Sequence, residues 1–252
     1  MKTIHSILIF LTLLLAHSLP GQEEAPTVQI SFQAFLWPSH APLAANSSQD
    51  GPSNQTQANS TYIPPEVAYL ESGKGSERSF QLLDDRRTDV MNYRGPEALT
   101  FYKAGTAMAA PGARVELGRL KIPPKAKELT IFFFPLPSGG YKIFSIETSP
   151  ATIPQGSTLV YNLSTTRLAC KLDETNFTID PGQSAVKAFS LPDKHYQPIL
   201  VASLSREGKW KRSLARKLIV DQNDRLLLII YNLEANPDSF NLLRLVFRPD
   251  SD

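Results

Sequence analysis

One stretch of the sequence crowds cationic side chains around an aromatic. Residues 206–217 (REGKWKRSLARK) hold six basic residues, Arg206, Lys209, Lys211, Arg212, Arg216 and Lys217, against a single acid, Glu207, with Trp210 among them. Such a set can hold an anion by charge and a sugar ring by stacking on the indole. Its ligand would be an anionic glycan, a lipid head group or peptidoglycan. The same residues also suit a structural role, as an edge strand whose charges discourage sheet-to-sheet association. Gly208 marks a turn, so the basic residues fall at a sheet end and along the strand that follows.

Other chemistries find little material. The four histidines are His5, His17, His40 and His195, and the one cysteine is Cys170; no pair stands at metal-ligand spacing, so the usual zinc sites are excluded. A serine or cysteine nucleophile lacks both a neighbouring base and a Gly-x-Ser-x-Gly elbow. Gly73-Lys74-Gly75-Ser76 lacks the spacing of a phosphate loop and reads as a turn. Asp221-Gln222-Asn223-Asp224 lacks the glycine and distal glutamate of a calcium loop and also reads as a turn. Asp84, Asp85 and Asp89, mixed with Arg86 and Arg87, form the most charged loop of the first half, but spacing assigns no carboxylate pair there. Cys170 alternates with Leu168 and Leu172 on one face of a strand and reads as a small buried hydrophobe. No catalytic residue, metal or cofactor is assigned.

The chain has 252 residues, with 26 basic and 24 acidic side chains and a net charge of +2. That balance favours no nucleic-acid partner. Twenty prolines scattered along the chain leave few places for a long helix. Residues 1–21 read as a cleaved secretory signal peptide: Lys2, an apolar run over residues 7–15, then Ala16, Ser18 and Gly21, with cleavage after Ser18 or after Gly21. No later run is long enough for a membrane span, so the mature chain is expected to be periplasmic or extracellular. Five Asn-x-Ser/Thr triplets begin at Asn46, Asn54, Asn59, Asn162 and Asn176, and would be glycosylated only in a eukaryotic secretory route.

Alternation of apolar and polar residues predicts strands throughout. Residues 27–36 put Val28, Ile30, Phe32 and Ala34 on one face. Residues 128–134 (ELTIFFF) and 225–231 (RLLLIIY) are apolar on both faces, which predicts central strands whose second cover comes from a neighbouring unit. Each is followed by a loop and a further strand, and the plan extends backwards: residues 93–105 align with 196–208, and residues 121–134 with 218–231. Two copies of one unit explain this most simply. The first copy spans 27–148, with a polar insertion at 44–61 expected to be disordered. A linker covers 149–156, and the second copy spans 157–248.

The stretch GSTLVYNLSTTRLACKLDETNFTIDPGQ, within residues 156–190, resembles immunoglobulin-like domains of exported bacterial proteins that are themselves poorly characterised. The resemblance implies a β-sandwich and an envelope setting, and brings no catalytic set. The expectation is an all-β protein of two tandem immunoglobulin-like sandwiches, closely packed, after a cleaved signal peptide. Its expected role is a non-catalytic binding or structural component of the cell envelope or secretions, with an unidentified protein or an envelope polysaccharide as partner. The rivals are a glycan-binding module, with Trp37, Trp210 and the tyrosines as platforms, or a carbohydrate-processing enzyme with dispersed residues.

Overall fold

The computed structural model describes residues 27–37, 65–71, 76–84, 86–189, 196–204, 207–233 and 236–248. The expected signal peptide, the insertion, His40, His195, Arg206 and the 73–75 turn lie outside them. The chain is all-β, with sixteen strands and one short 3-10 turn among the described residues. In the first unit β1 (Thr27–Leu36), β4 (Met91–Pro96), β7 (Glu128–Pro135) and β8 (Tyr141–Glu147) form a sheet in the order β4-β1-β7-β8. Facing it is β3-β2-β5-β6, made of β2 (Glu66–Glu71), β3 (Ser76–Gln81), β5 (Ala98–Lys103) and β6 (Glu116–Lys121).

The second unit repeats the plan. One sheet is β12-β9-β15-β16, from β9 (Ser157–Asn162), β12 (Ser184–Ala188), β15 (Arg225–Leu233) and β16 (Asn236–Phe247). The other is β11-β10-β13-β14, from β10 (Leu168–Leu172), β11 (Thr175–Ile179), β13 (Tyr196–Leu204) and β14 (Trp210–Ile219). Adding eight to each strand number of the first unit reproduces the second, including the parallel pairs β1–β7 and β9–β15. The duplication expected from the sequence is therefore a duplication of topology.

Side-chain alternation divides the apolar residues among three cores. Ile30, Phe32 and Ala34 of β1 and Leu129, Ile131 and Phe133 of β7 fill the first sandwich. Leu226, Leu228 and Ile230 of β15 fill the second, with Val160, Leu168, Cys170 and Leu172. The alternate positions make a third core between the units: Phe35, Trp37 and Phe132 from one side meet Leu159, Leu227, Ile229 and Tyr231 from the other. Four sheets are thus stacked as layers, and the two doubly apolar strands sit in the middle layers, as their composition predicts. The connecting residues 149–156 make a tight turn in which Thr152 and Ile153 both donate to the Ser149 carbonyl, and the Ile153 side chain enters the third core.

The structure corrects several local readings. Trp37 is only 7% exposed and stacks on Phe134 with ring centroids 4.5 Å apart, so it is a core residue and no glycan platform. β4 is missed by pattern because Gly95 and Pro96 read as a turn; among the described residues it is a sheet edge paired only with β1, where proline costs no ladder bond. The loop expected after residues 225–231, read from the sequence as running through Asn236-Pro237-Asp238, belongs to β16, where a register irregularity next to Asn232 carries the pairing past Pro237. The turn at 221–224 is present as expected and joins β14 to β15, strands of different sheets. The alignment of residues 93–105 with 196–208 is displaced by three: bulges at Phe101/Tyr102 and Val201/Ala202 occupy corresponding places and pair Leu99 with Ile199 and Phe101 with Val201. The alignment of 121–134 with 218–231 matches the strand registers.

The copies diverge where Leu36 of β1 corresponds to Asn162 of β9, opposite Phe133 and Ile230 respectively. Asn162 is fully buried. Its Nδ2 donates to the carbonyls of Thr166 (2.8 Å) and Ile179 (3.1 Å), and its Oδ1 accepts from the Ser164 amide (2.9 Å) and hydroxyl (2.6 Å). It ties β9 to the loop before β10 and to β11, and leaves no free amide for a glycan in the folded state. Asn162→Ala removes the acceptor of the buried Ser164 amide and a buried donor to the Ile179 carbonyl, and should cost about 2 to 3 kcal/mol. Phe132→Ala empties the third core and should cost about 3 to 5 kcal/mol. Both losses are read from urea midpoints at constant m-value.

Candidate functional site

The outer face of the β11-β10-β13-β14 sheet carries an unusual share of apolar surface. Tyr196, Leu200, Leu204, Trp210 and Ile219 are all exposed there, Trp210 by 48% and Ile219 by 72%. Register explains the clustering. Leu204 lies opposite Trp210, Ala202 opposite Arg212, Leu200 opposite Ala215, Pro198 opposite Lys217 and Tyr196 opposite Ile219, so these pairs share one face of the pleat. On β10 the same face holds Ala169, beside Ala202, and Lys171, beside Leu200. Two neighbouring alanines lower the middle of the sheet into a shallow trough of about 590 Å³, bordered by Lys171, Asn176, Thr178, Leu200 and Arg212. Trp210 stands two residues along β14 from Arg212, on the same face.

The pleat divides the basic stretch. Arg212 and Lys217 share the outer face with Trp210. Lys217 Nζ lies 5.0 Å from the centre of the Tyr196 ring. Lys211 and Arg216 pair with Ser203 and the buried Ile199, on the inward-facing parity, and are exposed because β14 is the sheet edge. Lys209 precedes β14 and lies 4.0 Å from Glu207. Lys171, from a strand forty residues earlier, joins the trough although no local pattern marks it; it is partly covered and pairs at 3.2 Å with the well-solvated Glu174.

A second polar concavity lies at the seam between the units. It encloses about 380 Å³ and is lined by Ser31, Gln33, Arg87 and Glu128 of the first unit and by Arg225 and Arg248 of the second, with Phe247 beneath. Arg87 comes from the charged loop noted in the sequence. Thr88 fixes that loop to β1: its amide donates to the Ala34 carbonyl and its hydroxyl accepts from the Ala34 amide, each at 2.9 Å. Arg87 then donates to the Val246 carbonyl at 2.7 Å and lies 4.0 Å from the centre of the Phe247 ring. Arg225 lies 5.4 Å from the same ring and donates to the Thr148 carbonyl at 2.7 Å. Burial, and then the Arg225 charge, bring the Arg87 guanidinium down to about 10. Among the described residues no group of three or more His, Cys, Asp and Glu side chains could hold a metal, and no helix is long and apolar enough to cross a membrane.

Cys170 lies under the trough with its side chain in the second core, where burial pushes the thiol up to about 12 from 9.0. The folded state holds this proton more tightly than the unfolded chain. Its contribution to stability is therefore whole below about pH 9 and is lost as pH rises toward 12. Iodoacetamide at pH 8.5 should leave Cys170 unmodified in the native protein and alkylate it fully in guanidinium, as read by intact mass.

No family model matches the chain, and no curated protein matches it. Among solved structures, a candidate adhesin from Bacteroides ovatus is similar at 10% identity, over 76% of this chain and 83% of that one, with a TM-score of 0.18. Neither fold nor function transfers at that score.

Proposed function

We propose that this is an exported, non-catalytic binding protein of the cell envelope or secretions, and that its ligand is an acidic polysaccharide held on the outer face of β10, β13 and β14. The observation that carries the reading is the exposed Trp210, on the same pleat face as Arg212 and beside an alanine-floored trough flanked by Lys171. An indole offers a flat apolar surface to a sugar ring, and the two cations offer charge to its acidic groups. A trough of this size admits a few ring substituents without enclosing them, which suits retention of a polymer better than turnover of a small molecule. The leader-like residues 1–21 support export.

Lys211 and Arg216 have a different task under this reading. Charges of inward parity on an edge strand oppose pairing with another sheet, so the basic stretch divides between binding and protection of the edge. Affinity electrophoresis in a gel containing polygalacturonate tests the division. Trp210→Ala and Arg212→Ser should each weaken retardation about tenfold, close to the ~1.4 kcal/mol of one stacking or ionic contact. The Lys211→Ser, Arg216→Ser pair should change it less than twofold. Equal losses in both sets would reduce the patch to unspecific charge, and no retardation of the parent protein by any acidic polysaccharide would remove the reading.

A further inference from the structure

The seam cleft is unlike the trough in that its cations come from both units and are held in place by backbone contacts. The duplication explains how they meet. Thr148 donates to the Glu128 carbonyl at the end of the β7–β8 pair, and Arg225 pairs with Phe247 at the corresponding end of β15–β16. Glu128 and Arg225 are thus equivalent positions of the two copies, brought to one cleft, and the second copy has an arginine where the first has a glutamate. Arg87 adds a second guanidinium from outside the repeat pattern. Its Nη2 is satisfied by Val246, while its Nη1 is buried without an acceptor among the described residues. Arg248 is partly neutralised by the buried Asp224, 3.6 Å away. Two arginines therefore share the Phe247 ring, with Glu128 the sole carboxylate among the described residues that line the cleft.

Two guanidiniums held near each other, one with an unused buried donor, form a receptor for a planar or tetrahedral oxyanion, because the guanidinium fork matches carboxylate and phosphate oxygens. We propose that the seam cleft is an anion-binding site in which Arg87 and Arg225 together receive the carboxylate or phosphate of a small molecule, clamping the two units to each other. A bound oxyanion removes the repulsion between the two arginines, and reaching the enclosed Nη1 requires the Arg87 side chain to turn toward the cleft. Ser31 and Gln33, on the β1 wall, face the remainder of the ligand. The site is independent of the polysaccharide reading and shares no residue with the trough.

The full chain is tested in HEPES with inorganic phosphate or acetate added at ionic strength matched by sodium chloride. At a hundredfold excess over its dissociation constant, the anion that fits should raise Tm by about 5 °C or more, saturably. The arm that responds identifies the chemistry. Arg225→Lys and Arg87→Gln should each abolish the shift, and the Lys171→Ser, Arg212→Ser pair should retain it. A readout on the parent protein needs no variant: phosphate or acetate should protect Arg87 and Arg225, and leave Arg212 open, to phenylglyoxal, as mapped by peptide mass. No shift with either anion, an equal shift in the Arg87 and Arg225 variants, or no protection of these two arginines would each overturn the proposal.

Discussion

The structure depends on two strands that have no polar face. A strand reading LTIFFF or LLLIIY leaves about half its side chains in water if its sheet is covered on one side only, and each large apolar side chain so exposed forgoes roughly 1.5 to 3 kcal/mol. The chain meets this by setting the two sandwiches against each other on these strands, so that Phe132 and Ile229 are as buried as the residues facing the ordinary cores. The third core then defines the rest of the seam. Trp37 is edge-on to Tyr231 across it at 4.8 Å, Ile153 fills it from the connecting turn, and Arg87 and Arg225 close its rim.

Using both faces of the middle sheets leaves only the two outermost sheets with a broad open face. Of these, the β11-β10-β13-β14 sheet carries Tyr196, Leu200, Leu204, Trp210 and Ile219 in the open. The corresponding β5 of the first unit has no comparable strip, since at the matched bulge its Tyr102 is only partly exposed. The copies therefore differ on their outer faces, and they differ at some buried positions as well. The registers of the two units match, while Arg225 stands where the first unit has Glu128, Phe247 where it has Thr148, and Asn162 where it has Leu36. Each exchange lies at the seam or beside a turn, where side chains can change without altering the strand ladder.

Much of the fold was legible because period-two burial is a local property. The alternation over residues 27–36, the placement of Cys170 with Leu168 and Leu172, and the doubly apolar strands each appear in the structure as their residues imply. What was illegible depended on pairing partners. Nothing in MNYRGP marks an edge strand until β1 is known to lie beside it. A three-residue shift in the repeat alignment is invisible without the bulges that fix the register. The trough needs Ala169 and Lys171 next to Ala202 and Leu200, four residues that sequence separates by some thirty positions. Arg87 looked like one more charge in an acidic loop, and only the hydrogen bonds of Thr88 to Ala34 turn it toward the second unit.

The central claim is that the third core makes the two sandwiches one folding body. The chain has two tryptophans, Trp37 within that core and Trp210 on the far outer sheet. Urea unfolding followed by fluorescence of Trp210→Phe reports the seam, and that of Trp37→Phe reports the outer sheet of the second unit, each alongside circular dichroism of the same variant. The account predicts that, within each variant, the fluorescence and dichroism transitions coincide, with a slope proper to unfolding the whole chain. A fluorescence transition at lower urea in Trp210→Phe, with the strand signal retained, would show sandwiches that stand without their seam and would contradict it.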